Sequence, residues 1–336
     1  MSELYTIMLA VLAILAVSGL YVGVTNDAVN FLNAAIGSKV AKMRTILAVA
    51  SVGIILGVLT SSGMMEVARS GMFDPSLFTF HEVMMLYLGV MFANIILLDL
   101  YNTWGLPTST TVSLIFCLLG SAIAVSVFKI ASNPEITLAN LGEYINSDRA
   151  LGIIAAILLS VVLAFTCGMI VMYLSRLIFT FRYHKIFHNW GALWCGISLA
   201  SIVYFAVFKG LKAPLAGTAF IAYVTENMGM ALLITWAACS VILWILQRLN
   251  VNILKITILA GTFALALAFA GNDLVNFIGV PIAGYDSYQM ALASGDTQML
   301  MSGLKESVPA NFSILVIAGL IMVVTLWTSK KSTNVS

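Results

Sequence analysis

Charge is scarce in this sequence: Lys, Arg, Asp and Glu together make up 9% of 336 residues, against about 25% in soluble domains. Such a chain has too few polar side chains to cover a water-exposed surface, which excludes a soluble enzyme. Its 61% hydrophobic content and mean hydropathy of +1.04 exclude a disordered chain. Cysteine is sparse as well. Cys117, Cys167, Cys195 and Cys239 all lie in apolar runs with no C-x-x-C spacing, which excludes a disulfide-stapled secreted domain. The four read as small core residues, without a metal or redox role. The three histidines, His81, His184 and His188, fall in segments read as loops. A basic n-region is missing too: Ser2 and Glu3 precede the first apolar run and no small-residue cleavage site follows it. That start therefore reads as a retained span and not as a signal peptide.

What is present is a succession of long apolar runs. Nine are long enough to span a bilayer, at about 20 residues each: 5–25, 45–64, 83–101, 110–130, 150–175, 191–208, 229–247, 254–271 and 311–328. The pattern predicts an all-α, polytopic transmembrane helical bundle. The segment 211–228 is apolar but interrupted by Pro214, Gly217 and Glu226, and reads as a short re-entrant or interfacial piece. Glu226 and Asn227 read as an exposed loop, with an outer gate as the alternative.

Alternating the loops between two sides sorts the charges. Lys39, Lys42, Arg44, Arg176, Arg182, Lys185, Arg248, Lys255, Lys330 and Lys331 fall on one face, and Arg69, Lys129, Arg149, Lys209, Lys212 and Lys305 on the other. Every loop acid, namely Glu3, Glu66, Asp74, Glu82, Glu135, Glu143, Asp148, Glu226, Asp286, Asp296 and Glu306, joins the less basic face. The positive-inside rule then places the N-terminus outside and Lys330-Lys331 inside. The basic stretch from Arg182 to Lys185, with His184 and His188, reads as topological, with anionic-lipid contact as its alternative.

Three acids are left within spans or at their ends: Asp27, Asp99 and Asp273. A carboxylate at membrane depth costs a few kcal/mol or more, so each is a candidate site. Two belong to one repeated motif. Asn26-Asp27-Ala28-Val29-Asn30-Phe31 and Asn272-Asp273-Leu274-Val275-Asn276-Phe277 both read N-D-x-V-N-F, at an offset of 246. Each closes an apolar span, and the two spans cross in opposite directions. Inverted repeats with broken helices that meet near the midplane are a signature of secondary transporters. Amide, carboxylate and unwound carbonyl oxygens together suit Na⁺ or a proton. Asp99 is either a third coupling group or a partner for a neighbouring helix.

A third constellation, Gly105-Leu106-Pro107-Thr108-Ser109-Thr110-Thr111, lies between two spans. Proline suits a first helical turn, and hydroxyls beside its free N–H groups make a helix start able to hold an anion. An ordinary N-cap is the plainer alternative. With no Lys or Arg deep in any span, a carried anion would need co-bound cations, because a helix terminus supplies only about half a charge. Net positive cargo would also draw on the membrane potential, at about 2.3 kcal/mol per charge per 100 mV.

These residues carry a family resemblance. Asn26-Asp27 with Asn30, then Gly37-Ser38-Lys39-Val40, resembles the G-A-N-D-x-x-N…G-S-K-V signature of the PiT inorganic phosphate transporters. Asn272-Asp273 with Asn276 resembles its second copy, and Gly105 to Thr111 resembles the family's G-L-P-x-S-T-T segment. The resemblance implies cation-coupled phosphate symport, with no enzyme activity and no cofactor beyond transported Na⁺ or H⁺. Phosphate would meet Asn30, Ser109, Thr110, Thr111 and Asn276. The cation would meet Asn26, Asp27, Asn272 and Asp273, with Asp99 as a further candidate, and no structural metal is implied. Two positions depart from the pattern: Val24-Thr25 replaces the small residues before the first Asn-Asp, and Val112 replaces the histidine after S-T-T. The latter weakens a proton relay and favours Na⁺.

The repeat also suggests a division: 1–131 as the first inverted repeat, 132–253 as intervening helices and 254–336 as the start of a second repeat. Its S-T-T would fall near position 355, beyond Ser336, so the chain reads as a fragment of a longer transporter, with a site completed differently, for example by another chain, as the alternative. Sulfate transport and a passive anion channel are the alternatives. The expected setting is the cell (inner or plasma) membrane, with lipid but no nucleic acid as partner, and a homo-oligomer is left open.

Overall fold

The computed structural model describes residues 3–61, 67–132, 137–180, 183–209, 218–306 and 311–329. Glu66, Glu135, Arg182, Lys212, Lys330 and Lys331, used above to assign sides, lie outside them, as does the 211–217 part of the interrupted segment with Pro214 and Gly217.

Helices account for the fold. In chain order they are α1 (Glu3–Gly37), α2 (Met43–Thr60), α3 (Phe80–Trp104), α4 (Thr110–Ala131), α5 (Leu141–Tyr144), α6 (Ser147–Ile178), α7 (Tyr183–Val203), α8 (Ala219–Glu226), α9 (Met228–Arg248), α10 (Ile253–Ser294) and α11 (Phe312–Thr328). Among the described residues there is no strand beyond two isolated bridges, Phe73 with Ile145 and Thr79 with Leu300. Among the described residues eight helices are long and apolar enough to cross a membrane, and α11, with 17 residues, is a shorter apolar one. Each of the nine expected spans falls on one of these helices. The short α8 lies in the segment read as re-entrant or interfacial, and Glu226 and Asn227 beside it are exposed.

The chain divides into two compact units, one of residues 1–29, 62–155 and 272–336, the other of 30–61 and 156–271. In the first, α1 and the second half of α10 pair antiparallel. The Thr6 and Tyr288 hydroxyls lie 3.4 Å apart at one end of the pairing. Towards the other, Gly23 receives the Phe277 ring so closely that a Cβ there would sit 2.0 Å from Phe277 Cε1. The hairpin of α3 and α4 also belongs to this unit. Thr79 and Glu82 form a reciprocal capping box at the start of α3. Gly105, at φ +68°, ends the helix in the left-handed conformation that glycine adopts without strain. Ser109 then caps α4, accepting from Val112 N at 3.3 Å.

In the second unit α2 packs on the first half of α10 with almost no side chain between them. A Cβ on Gly57 would lie 2.3 Å from the Leu267 carbonyl oxygen. Phe31 stacks against Phe269 at 5.3 Å between centroids. The α7–α9 pair holds a small core of Ala192, Cys195 and Leu243 with Ile253. Along α6 only Ala150 is buried. A helix apolar on every side and exposed to this extent is suited to lipid.

Three expectations are corrected. The spans expected to end at 25 and 271 do not: α1 runs through Asn26–Phe31 and α10 through Asn272–Phe277 without unwinding. Asn26, Asp27, Asp273 and Asn276 find partners on the α3–α4 hairpin, so these side chains are satisfied without the backbone supplying its own carbonyls. Second, Asp286, assigned to a loop, lies inside α10 and forms an ion pair with Arg69, which is 1% exposed. That pair also accounts for a buried guanidinium in the turn after α2, since a buried charge is tolerated when paired. Third, the histidines are helical: His81 starts α3, while His184 and His188 lie in the first turns of α7, because both helices begin before their apolar cores do.

Candidate functional site

The tip of the α3–α4 hairpin meets α1 at the first N-D motif. Asn26 is fully buried and uses both hydrogens of its amide, donating to Asn102 Oδ1 at 2.8 Å and to the Leu106 carbonyl at 3.2 Å. Its own oxygen accepts from Thr108 N at 2.8 Å. Asn102 in turn donates to the Val22 carbonyl at 2.8 Å. Asn26 therefore holds the loop that launches α4, which is a positioning task.

The first turn of α4 lies beside both carboxylates. Thr110 Oγ1 donates to Asp27 Oδ2 at 2.7 Å, and Thr111 Oγ1 donates to Asp273 Oδ1 at 3.3 Å. Asn276 donates to Thr111 Oγ1 at 2.7 Å and to Asp273 Oδ1 at 3.0 Å. Adjacent hydroxyls thus reach the acids of two motifs 246 residues apart. They can do so because consecutive residues in a helix point about 100° apart. Asp27 is 2% exposed, while Asp273 and Asn276 are half-buried. None of the side chains joined in this cluster is basic. The N–H groups of Thr110 and Thr111, in the first turn, have no intrahelical acceptor.

The remaining candidates are less gathered. Ser109 is exposed and serves as the N-cap. Asn272 and Asn30 are exposed, and Asn30 belongs to the second unit. Asp99 is exposed and stands outside the hydrogen-bonded cluster just described. Two participants escaped the sequence reading. Asn94, 2% exposed, accepts from Ser113 Oγ at 2.6 Å, and Asn102, 3% exposed, anchors Asn26. The available signal was two carboxamides eight residues apart in one span, hence on one helical face. Among the described residues no group of three or more His, Cys, Asp or Glu side chains is placed to hold a metal ion.

A bundle of apolar helices that encloses two carboxylates beside a hydroxyl-bearing helix start defines an integral membrane protein of the transporter class. A profile of the phosphate transporter family matches residues 23–333. The chain belongs to that family. Its fold is similar to that of a solved structure, "The sodium-dependent phosphate transporter", with a TM-score of 0.72 and 16% sequence identity over 96% of this chain and 76% of that one. A comparison with curated protein sequences gives no match.

Proposed function

We propose that this protein carries inorganic phosphate in symport with a cation, Na⁺ in preference to H⁺, with Asp27 and Asp273 as the coupling groups. The observation that carries the reading is the junction of Thr110 with Asp27 and of Thr111 and Asn276 with Asp273. In this arrangement both hydroxyls donate to carboxylates. A cation between or beside the carboxylates would neutralise them and release the hydroxyls, with the first-turn N–H groups, to a phosphate oxygen. Cation first and anion second follows from that exchange. Asn26 and Asn102 keep the α4 start in place, Ser109 caps it, and Asn272 and Asp99 are outer members of the set. The sodium dependence in the name of the similar structure also favours Na⁺.

The inverted relation of the two N-D motifs is supported by a pair of contacts, while the division at 131 and 253 rests on the sequence repeat. Under the offset of 246, Phe31 maps onto Phe277 and Gly23 onto Phe269, so the Phe31–Phe269 contact and the Gly23–Phe277 contact exchange. The charge asymmetry of the loops supports an external N-terminus in a cell membrane.

Uptake of radiolabelled phosphate into proteoliposomes tests the reading. An inward Na⁺ gradient at fixed pH is expected to drive accumulation, and Asp27→Asn and Asp273→Asn are each expected to abolish it. Equal uptake with and without the gradient removes the Na⁺ assignment. Persistent uptake in Asp27→Asn, without cation dependence, identifies a passive anion channel, and equal competition by sulfate identifies a less selective oxyanion carrier.

A further inference from the structure

A cavity of about 660 Å³ opens between the first turns of α3 and the last turns of α4, within the first unit. Its size is that of a small-molecule site, and so is its lining of apolar wall with a few polar groups. Met85, Val125 and Phe128 form the wall. Met85 and Phe128 are 52% and 75% exposed, and Phe92 and Ile96 continue the exposed apolar face of α3. On a membrane-spanning helix such a face meets acyl chains.

The polar lining of this cavity includes Lys129, Glu82 and His81, with Thr79, Ser132 and Gln298 beside them. Lys129 Nζ donates to the Leu77 carbonyl and to Glu82 Oε2, each at 2.8 Å, and an ammonium has a third N–H to give. His81 Nδ1 lies 3.2 Å from the Tyr5 hydroxyl. With that hydroxyl donating, the second ring nitrogen carries the proton and is a donor. The lining thus offers two nitrogen donors, with the Thr79 and Ser132 hydroxyls and the Gln298 amide, beside one carboxylate. A purely anionic head is drawn by Lys129 and repelled by Glu82, whereas a zwitterion matches both.

We propose that this cavity is a phospholipid site selective for a zwitterionic head with a primary ammonium, the phosphatidylethanolamine class. Phosphodiester oxygens accept from Lys129 and His81, the ammonium donates to Glu82, and one acyl chain lies along Met85, Val125 and Phe128. A choline head has the same charges but no N–H to donate. A glycerol head brings no cation to Glu82.

Native mass spectrometry of the purified full chain, titrated with equimolar phosphatidylethanolamine, phosphatidylcholine and phosphatidylglycerol, tests the site. The first lipid is expected to be retained at least fivefold over the other two. Val125→Trp and Ala124→Phe fill the cavity without touching the ion pair and are expected to lower that retention at least fivefold. Glu82→Gln keeps the capping-box chemistry and is expected to equalise the ethanolamine and choline lipids. Equal retention of all three lipids by the wild type overturns the proposal. So does unchanged retention in both filled variants at wild-type thermal stability. If a filled variant fails to fold, the wild-type headgroup comparison and Glu82→Gln decide.

Discussion

Asn26→Asp exchanges one NH₂ group for an oxygen in a fully buried position, and its consequences can be worked atom by atom. The bond from Thr108 N survives, because the retained oxygen still accepts it. The donations to Asn102 Oδ1 and Leu106 O are lost, and each becomes a contact between two oxygens. Asn102 cannot restore the first by flipping its amide without giving up its own bond to the Val22 carbonyl. Two buried hydrogen bonds at about 1 kcal/mol each, with the stranded acceptors added, come to about 2–4 kcal/mol, the lower end applying where the buried carboxyl takes up a proton and keeps one O–H donor. On the usual scaling this lowers the thermal midpoint by roughly 4–8 °C. The loop between Gly105 and Thr110 shifts with it, and a displacement of about 1 Å at a binding group can cost a hundredfold in rate. Phosphate uptake should therefore fall at least tenfold at matched protein. A thiol-reactive dye provides the stability assay in a background with Cys117, Cys167 and Cys239 replaced by Ala, since Cys195, 2% exposed, is the buried one of the four. Asn272→Asp, at the equivalent but exposed position, is the control and should shift stability by less than about 0.5 kcal/mol. An Asn26→Asp protein that unfolds and transports like the wild type refutes the reasoning.

Gly57→Ala places a Cβ 2.3 Å from a backbone oxygen that cannot rotate away and should cost about 1–3 kcal/mol or more. Gly261→Ala in α10 meets nothing within 4 Å and should be neutral or stabilising, and equal effects in the same dye assay would contradict the close α2–α10 packing. Thr111→Val removes the hydroxyl shared by Asp273 and Asn276 and should raise the KM for phosphate at least tenfold. An unchanged KM would return that residue to a structural role. At Asp74 burial pushes the carboxyl up, but bonds from the Ser76 hydroxyl and N–H and from Lys305 outweigh it and hold the group below its ordinary value. Its stabilising contribution is thus complete above about pH 4, the usual carboxylate range, and is lost as pH falls through the lower folded value. Asp74→Asn should flatten that part of the acid loss, read as thermal midpoint between pH 5 and pH 2, and superimposable wild-type and variant curves would exclude it.

The spans were legible because hydropathy is a local property and bilayer thickness imposes a length on it. The two N-D motifs were legible for a related reason: a carboxylate is rare enough at membrane depth to stand out singly, and its recurrence at a constant offset can be seen without coordinates. The hydroxyl run likewise marked the start of α4, although Pro107, read as part of its first turn, lies in the loop before the Ser109 cap. What was misread had local causes too. Asp286 looked like a loop acid because the apolar run thins after Gly284, although α10 continues to Ser294.

Partnership was beyond reach of the sequence. Asn26 reads as a cation ligand beside Asp27, and nothing in the sequence announces the bonds it makes to Asn102, Leu106 and Thr108, 76 to 82 residues away. Asn94 and Asn102 gave no motif at all. The two threonines could have served one acid or neither, and only the placement of α4 against α1 and α10 divides them between Asp27 and Asp273. Composition, span positions and the pair of acids belong to the sequence by itself, since they depend on transfer from water to lipid one residue at a time. Which donor meets which acceptor was decided by tertiary structure alone, because a hydrogen bond depends on distance and direction to within a few tenths of an ångström, and those are set by how helices far apart in the chain pack.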